Sequence, residues 1–187
     1  MSGTGAPITY NVRFGYAGPF TATARGLVTP ATNAGSVATN AFQDFPVTIP
    51  AGTTYARFSL FDQPGVSDDL DLEVYDPSNV LRATSGGPTA TEEANVLNPV
   101  AGTWKVRVVG FATQNATASF TLFNWVLGST AAGNMTVTAP ATATQSTTAP
   151  ITLTFSGLNP ATKYLGSVAY SGSTGFPNPT IVRVDTP

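Results

Sequence analysis

Half of the acidic residues in this chain fall within one short segment, SDDLDLEVYDPSN, at positions 67–79. The sequence has ten carboxylate side chains, and five of them lie here: Asp68, Asp69, Asp71, Glu73 and Asp76. Carboxylates at this density could coordinate calcium, act as the acid and base of a glycosidase, or face basic side chains on a neighbouring strand. These three alternatives require different spacings of the carboxylates along the chain.

The spacing indicates a β-strand. In residues 69–74, DLDLEV, apolar and acidic side chains alternate, so the acidic ones line one face at intervals of about 6.5–7 Å. Such a row repels itself unless cations neutralise it. The segment WKVRV has the same alternation and places Lys105 and Arg107 on the outer face of another strand. Cross-strand pairing is therefore one interpretation, and each pair would contribute about 0.2–1 kcal/mol.

The second interpretation is a calcium site. Calcium needs six to eight oxygen ligands, and a strand with its preceding loop can supply several. Asp68, Asp69 and Asp71 would form the centre of the site, with Glu92 or Glu93 from a long loop as further candidates. The segment is not an EF-hand, because no glycine follows the acidic positions and apolar residues alternate through it. A glycosidase pair is the third alternative, although positions i and i+2 on one strand face suit it poorly.

The sequence contains no histidine and no cysteine. This excludes Ser-His-Asp and Cys-His catalysis, imidazole ligands and zinc–thiolate sites. A Ser-Lys pair could use only Lys105 or Lys163, and both lie in strand-like segments. We therefore expect no catalytic residues in this chain.

The charge balance and hydropathy exclude further classes. The net charge is −2 and only 10% of residues are charged, so no basic surface exists to bind nucleic acid. No apolar run approaches the 18 residues that a membrane span requires.

Alternation of apolar and polar residues recurs along the chain, and no segment has sustained helical spacing. Turn signals such as Ile49-Pro-Ala-Gly52 and Asp76-Pro-Ser-Asn79 separate the apolar runs. The sequence therefore predicts an all-β protein made of sandwiches. Twelve strands are expected: Ile8–Phe14, Phe20–Leu27, Phe45–Ile49, Tyr55–Phe61, Leu70–Tyr75, Val80–Ala83, Thr103–Val109, Ala118–Leu127, Met135–Thr138, Ile151–Phe155, Tyr164–Tyr170 and Thr180–Val184.

Three segments between about residues 40 and 127 resemble the bacterial pre-peptidase C-terminal domain. They are FPVTIPAGTTYARFSLFD, DDLDLEVYDPSNVLRATSGG and NPVAGTWKVRVVGF. The flanking segments SGTGAPITYNVRFGYAGPFTATARGL and NPTIVRVDTP are similar to the tail of large secreted subtilisin-like serine peptidases of actinobacterial type.

This resemblance implies a jelly-roll-like β-sandwich in a non-catalytic accessory region of a secreted, extracellular peptidase. Its partners would be the catalytic domain of the parent peptidase and, in addition, protein substrate or a cell-surface polymer. Some relatives of this domain bind calcium, which the resemblance allows without requiring it. The rival hypothesis is a stand-alone extracellular module that binds carbohydrate or a cell surface.

Trp125 bears on that choice. In SFTLFNWVLG, apolar side chains fall on both faces of one strand, which indicates that both faces are covered. We interpret Trp125 as part of an interface between two modules, and the alternative is a platform on which a sugar stacks.

The segment Leu158-Asn-Pro-Ala-Thr-Lys-Tyr164 resembles the tyrosine corner of fibronectin type III domains, in which the tyrosine hydroxyl bonds to an upstream backbone group. We therefore divide the chain into an N-terminal hairpin at 1–34, a pre-peptidase C-terminal-like sandwich at 35–128 and a fibronectin-III-like segment at 129–187. The third segment is too short for a sandwich alone, so the hairpin is predicted to complete it; the alternative is that the hairpin pairs with the first sandwich.

Two triplets, Asn115-Ala-Thr117 and Asn134-Met-Thr136, match the N-glycosylation sequon. Such triplets are frequent by chance in a chain rich in threonine.

Overall fold

A computed structural model describes residues 6–172 and 178–187, and the regular elements within these ranges are β-strands. The all-β prediction is confirmed. The strands are β1 (Ile8–Arg13), β2 (Gly18–Pro19), β3 (Thr21–Val28), β4 (Ala31–Val37), β5 (Phe42–Ile49), β6 (Tyr55–Leu60), β7 (Asp69–Tyr75), β8 (Leu81–Ser85), β9 (Glu92–Leu97), β10 (Gly102–Ala112), β11 (Ala118–Leu127), β12 (Met135–Thr138), β13 (Thr142–Ala143), β14 (Thr148–Phe155), β15 (Lys163–Ser171) and β16 (Thr180–Asp185). No helix in the described part of the chain is long and apolar enough to cross a membrane.

The chain divides into two compact units. The first consists of Met1–Thr29 together with Ser129–Pro187, and the second is Pro30–Gly128. Residues 1–5 of the segment predicted as a hairpin lie outside the described residues. The boundary between the first two segments lies at residues 29 and 30 rather than 34 and 35, because β4 starts at Ala31 and pairs with β11.

The second unit has two four-stranded antiparallel sheets. Their strand orders are β5-β10-β7-β8 and β4-β11-β6-β9. Alternate residues of β7 and β10 are buried, as the sequence alternation predicts. The shared core includes Phe45, Phe58, Leu72, Trp104 and Leu122 from five different strands.

The two ends of this unit leave from neighbouring strands. Ala31, at the start of β4, lies opposite Asn124, near the end of β11. A single sheet therefore holds both connections to the rest of the chain.

Strands β4 and β9 are absent from the sequence prediction. Both are edge strands, and β4 has the sequence ATNAGSV, whose first four residues are exposed. An edge strand with little buried surface needs no apolar alternation, so periodicity gives no signal for it. The prediction that Glu92 and Glu93 belong to a long loop is wrong, because both begin β9 and pair with β6.

The first unit has two three-stranded sheets, β1-β14-β12 and β16-β15-β3, and a short pair, β2-β13. Its core includes the buried side chains of Phe14, Phe20, Ile151, Phe155 and Tyr164. The predicted N-terminal hairpin is wrong, because β1 pairs with β14 and β3 pairs with β15. The short strand β2 between them pairs with β13 and carries the chain from one sheet to the other.

The contact expected of a tyrosine corner is present. The Tyr164 ring is buried, and its hydroxyl oxygen accepts the backbone N–H of Asn159 at 2.9 Å. Leu158, at the start of the motif, is also buried. The motif therefore fixes the chain between β14 and β15, while the fibronectin-like character of the segment stays a prediction.

Candidate functional site

Strand β7 carries three of the acidic side chains, and its register with β10 decides which of them meet a cation. Glu73 lies opposite Arg107, but Asp71 lies opposite Val109 and Asp69 opposite Ala112. The basic residues of β10 are therefore too far along the strand to face the first two aspartates. Cross-strand pairing can neutralise only Glu73.

The side chain of Arg107 is engaged mainly with β5. Its Nε and Nη2 atoms donate to the two carboxylate oxygens of Asp44 at 2.7 and 3.0 Å, and its Nη1 lies 3.8 Å from Glu73. The guanidinium also lies 3.7 Å from the ring centroid of Phe42. Because Arg107 donates to it, the pKa of Asp44 is lowered.

The other basic side chain of β10 meets no carboxylate in the described contacts. Lys105 donates to the Asn79 side-chain oxygen at 2.6 Å, and its Nζ lies 4.3 Å from the ring centroid of Tyr75. The Tyr75 hydroxyl in turn donates to Glu73 at 2.5 Å. The paired-strand interpretation therefore describes Glu73 and not the whole acidic row.

Asp76 holds the turn after β7. One carboxylate oxygen accepts the backbone N–H groups of Ser78 and Val80 at 2.8 and 2.9 Å, and the other pairs with Arg82. The backbone donor of Val80, followed by the Arg82 side chain, lowers the pKa of Asp76. Its function is to fix the β7–β8 turn.

Asp68 fastens a loop. It is buried immediately before β7, and its Oδ1 accepts the backbone N–H of Gln114 at 2.8 Å. The Gln114 side chain accepts the N–H of Ser67 in return, at 3.1 Å. This exchange ties the loop before β7 to the loop between β10 and β11.

Asp69 and Asp71 form no ion pair with a basic side chain among the described residues, and the charges of Asp69 and Glu92 both act on Asp71. Burial raises the pKa of the Asp71 carboxyl, and the negative charges of Asp69, Glu92 and Glu73 raise it further. The Oδ1 atom of Asp69 is buried without a hydrogen-bond partner in the described structure. These three residues, Asp69, Asp71 and Glu92, are called the acidic cluster below.

The loop at residues 86 and 87 shapes the acidic cluster. A Cβ atom at Gly86 would lie 2.8 Å from Oδ1 of Asp71, so a larger residue there would require this carboxylate to move. Glu92 is 4% exposed and accepts the hydroxyl of Ser85 and the backbone N–H of Gly87. The sequence signals a turn here, but nothing in it predicts that Glu92 from one sheet meets Asp71 from the other.

Glu93 lies apart from the cluster. Its Oε1 forms an ion pair with the buried Arg57 at 2.9 Å and accepts the Asn95 side-chain amide at 3.0 Å. The Tyr55 hydroxyl donates to Asn95 in the same network. Glu93 neutralises Arg57 and is not available as a partner for Asp71.

The candidate calcium ligands are therefore divided. Asp68 and Glu93 have their own partners, whereas the negative charges of Asp69 and Glu92 both raise the pKa of Asp71. Within the described ranges, no three acidic side chains converge at metal-binding distances. The orphaned oxygen of Asp69 fits a cation, but the present arrangement would have to contract to supply the six or more oxygens that calcium takes.

Trp125 is 1% exposed and stacks on Phe123 with ring centroids 5.9 Å apart. Every residue of the adjacent strand β6 is also buried, so both faces are covered at β6 and at the C-terminal half of β11. The interpretation of Trp125 as part of an interface between two modules stays a prediction. A sugar cannot stack on a buried ring, so the platform alternative is wrong for Trp125.

Part of the second unit matches a known protein family. Residues 41–110 match the bacterial pre-peptidase C-terminal domain. The pre-peptidase C-terminal match begins beside β5 and ends within β10, so it contains the whole acidic segment and Glu92. It leaves out β4 and β11 of the same unit.

Two other proteins are similar to this chain. Pyrolysin of Pyrococcus furiosus is 31% identical over 86 residues, which cover 45% of this chain and 6% of pyrolysin. The matches to pyrolysin and to the pre-peptidase C-terminal domain confirm the resemblance drawn from sequence to this domain of a subtilisin-like peptidase. A crystal structure of the Bacillus licheniformis lipase BlEst2 in propeptide form aligns with 85% of this chain and 40% of its own, at 14% identity and a TM-score of 0.39. That similarity is too low to support an inference.

Proposed function

We propose that this chain is a non-catalytic accessory region of a secreted subtilisin-like serine peptidase. The observation that carries the proposal is the pre-peptidase C-terminal match at residues 41–110, supported by the similarity to pyrolysin. The complete lack of histidine and cysteine in the sequence agrees with this, because the chain holds no Ser-His-Asp or Cys-His arrangement.

The accessory region acts extracellularly, either by stabilising the catalytic domain or by holding protein substrate or a cell-surface polymer near it. The two roles have different kinetic consequences. A stabilising region lengthens the lifetime of the enzyme, whereas a binding region lowers KM for large substrates only.

The first test is the reading frame around the coding sequence for these residues, where a catalytic domain with its Ser, His and Asp is expected. The second compares that enzyme with and without this region. A shorter half-life at elevated temperature supports stabilisation, and a raised KM for casein with an unchanged KM for a small peptide ester supports binding. Identical half-life and kinetics would contradict both roles.

The chain by itself should be inert towards active-site probes. We expect no labelling of the purified protein by a fluorophosphonate and no cleavage of casein or peptide esters, with a known serine peptidase as the positive control. Stoichiometric labelling of any residue in this chain would contradict the accessory assignment.

A stand-alone carbohydrate- or surface-binding module is the second candidate. It is favoured by two large aromatic side chains of the second unit, Phe42 and Phe111, which are 56% and 64% exposed. Polysaccharide pull-down and glycan-array binding should then be lost in Phe42→Ala or Phe111→Ala and retained in Val100→Ala, an equally exposed aliphatic control. Absence of binding by the unmodified chain would exclude this candidate.

A further inference from the structure

The two glycosylation sequons differ sharply in what their asparagine side chains do. Asn115 and Thr117 are exposed in the loop between β10 and β11. Asn134 is half-buried immediately before β12, and the central residue of its triplet, Met135, is 2% exposed. A third asparagine-containing triplet, Asn178-Pro-Thr180, has the central proline that the sequon forbids.

The Asn134 amide is used by the fold. Its Oδ1 accepts the backbone N–H of Leu27 at 2.8 Å, and its Nδ2 donates to the carbonyl oxygen of the same residue at 3.1 Å. A glycan on Nδ2 would occupy the position of Leu27 and break this two-point contact. Asn134 is therefore a structural residue of the first unit.

The loop that carries Asn115 is held through its neighbours. Gln114 is fixed by Asp68 and Ser67, and the hydroxyl of Thr113 donates to the carbonyl oxygen of Asn115 at 2.7 Å. In the part of the chain that the structure describes, the Asn115 amide and the Thr117 hydroxyl make no hydrogen bond. The loop thus presents an ordered sequon whose reactive groups are both free.

We propose that Asn115 is an N-glycosylation site of the folded, exported protein and that Asn134 is not. The glycan donor would be a lipid-pyrophosphate-linked oligosaccharide. The Asn115 Nδ2 forms the new bond to the anomeric carbon, the bond from that carbon to the phosphate oxygen breaks, and the lipid pyrophosphate leaves. The amide proton passes to a basic group of the transferase. A glycan here would lie over the loop pair that Asp68 connects.

The test uses a purified single-subunit oligosaccharyltransferase that accepts Asn-x-Thr, with its lipid-linked donor. The acceptors are the folded full chain and two synthetic peptides covering residues 111–119 and 130–138. Site occupancy is measured by intact mass and by peptide mapping after enzymatic deglycosylation in heavy-oxygen water. We expect both peptides to be modified, and occupancy at Asn115 of the folded chain to exceed that at Asn134 at least tenfold.

Two matched variants show which asparagine carries the glycan. Thr117→Val removes the first sequon and should abolish modification of the folded chain. Thr136→Val removes the second, leaves the Asn134 hydrogen bonds intact and should change nothing. An unmodified Asn115 in the folded chain, equal occupancy at both sites, or an inert 111–119 peptide would each overturn the proposal.

Discussion

Asp71 and Asp76 are five residues apart, yet their pKa values move in opposite directions. Asp76 accepts two backbone N–H groups and an arginine, which favour its charged form. Asp71 is partly removed from water and faces Asp69, Glu92 and Glu73, which disfavour its charged form. The function of a carboxylate in this segment therefore depends on its surroundings rather than on its position in an acidic row.

Replacing Asp71 by asparagine should stabilise the protein at neutral pH in the absence of calcium. Because the folded pKa of Asp71 is raised, the folded state holds more protons than the unfolded state between the ordinary and the raised value, and stability falls as pH rises through that window. The amide side chain of the variant carries no charge at any pH, so Asp71→Asn should raise Tm by a few degrees at pH 7 in EGTA. The difference should shrink as pH falls towards the ordinary carboxyl pKa.

Asp44→Asn serves as the opposite control for Asp71→Asn. The folded pKa of Asp44 is lowered by Arg107, so its stabilisation is present at neutral pH and is lost as pH falls through the lowered value. Asp44→Asn should therefore lower Tm at pH 7. Thermal unfolding at a series of pH values measures both effects, and a destabilised Asp71→Asn in EGTA would contradict the assignment of uncompensated charge.

Calcium at the acidic cluster stays a prediction that can be tested directly. An ion that binds only the folded state should raise Tm as free calcium rises, with a stabilisation of about 2.7 kcal/mol when free calcium is 100 times Kd. Asp69→Asn, Asp71→Asn and Glu92→Gln should each remove the calcium dependence, while Glu93→Gln should keep it because Glu93 pairs with Arg57. A melting curve that is identical in EGTA and in calcium would exclude the site.

Strand β10 is the element that organises the second unit, because it pairs with β5 on one side and with β7 on the other. Its inner face is buried in the core, and its outer face carries the two basic side chains. Arg107 joins β5 and β7 through Asp44 and Glu73, while Lys105 donates to Asn79 and lies against the Tyr75 ring. Arg107 should therefore contribute more to the stability of the second unit than Lys105.

We expect Arg107→Ala to destabilise the second unit by about 1 kcal/mol and Lys105→Ala by about half of that, since partly exposed pairs contribute little. Both tryptophans of the chain lie in this unit, so tryptophan fluorescence during urea unfolding reports on it selectively. Arg107→Lys is the matched control for charge without the bidentate geometry. Equal losses in the two alanine variants would contradict the assignment of Arg107 as the bridging residue.

Sequence predicts elements well where a strand buries one whole face. The alternation of β7, β10 and β11 located those strands, and the tyrosine motif predicted the hydrogen bond of Tyr164. Sequence alone does not reveal edge strands such as β4. Nor does it reveal features that depend on strand register, since the register between β7 and β10 decides which acidic side chains of β7 lie opposite a cation. The acidic cluster was only partly predictable, because Glu92 reaches it across two sheets.

At the scale of the whole molecule, the first unit is built from two distant segments of the chain. Strand β14 has β1 as one of its two neighbours, and β15 has β3, so residues 1–29 supply one partner in each three-stranded sheet. They also supply Phe14, Phe20 and Leu27 to the core. That the two segments fold as one cooperative module stays a prediction.

Deleting residues 1–29 should unfold residues 129–187 and leave 30–128 folded. Amide exchange is expected to lose protection around Leu158–Tyr170, while the tryptophan fluorescence of the second unit stays native. Deleting residues 1–7, which precede β1, is the control and should preserve protection. Retained protection at Leu158–Tyr170 in the longer deletion would show that the C-terminal segment folds without the N-terminal strands.

The neighbouring positions of Ala31 and Asn124 have a consequence for chain entropy. While residues 30–128 are unfolded, the two halves of the first unit are connected by a flexible loop of roughly 100 residues, and closing such a loop costs about 4 kcal/mol. Once that segment folds, Ala31 and Asn124 are held opposite each other on neighbouring strands, and the long loop is replaced by a short connection. Folding of residues 30–128 therefore stabilises the first unit by lowering the entropic cost of bringing its two segments together. Proteolytic cleavage within residues 30–128 would leave this stabilisation intact as long as the sheets of that segment stayed paired.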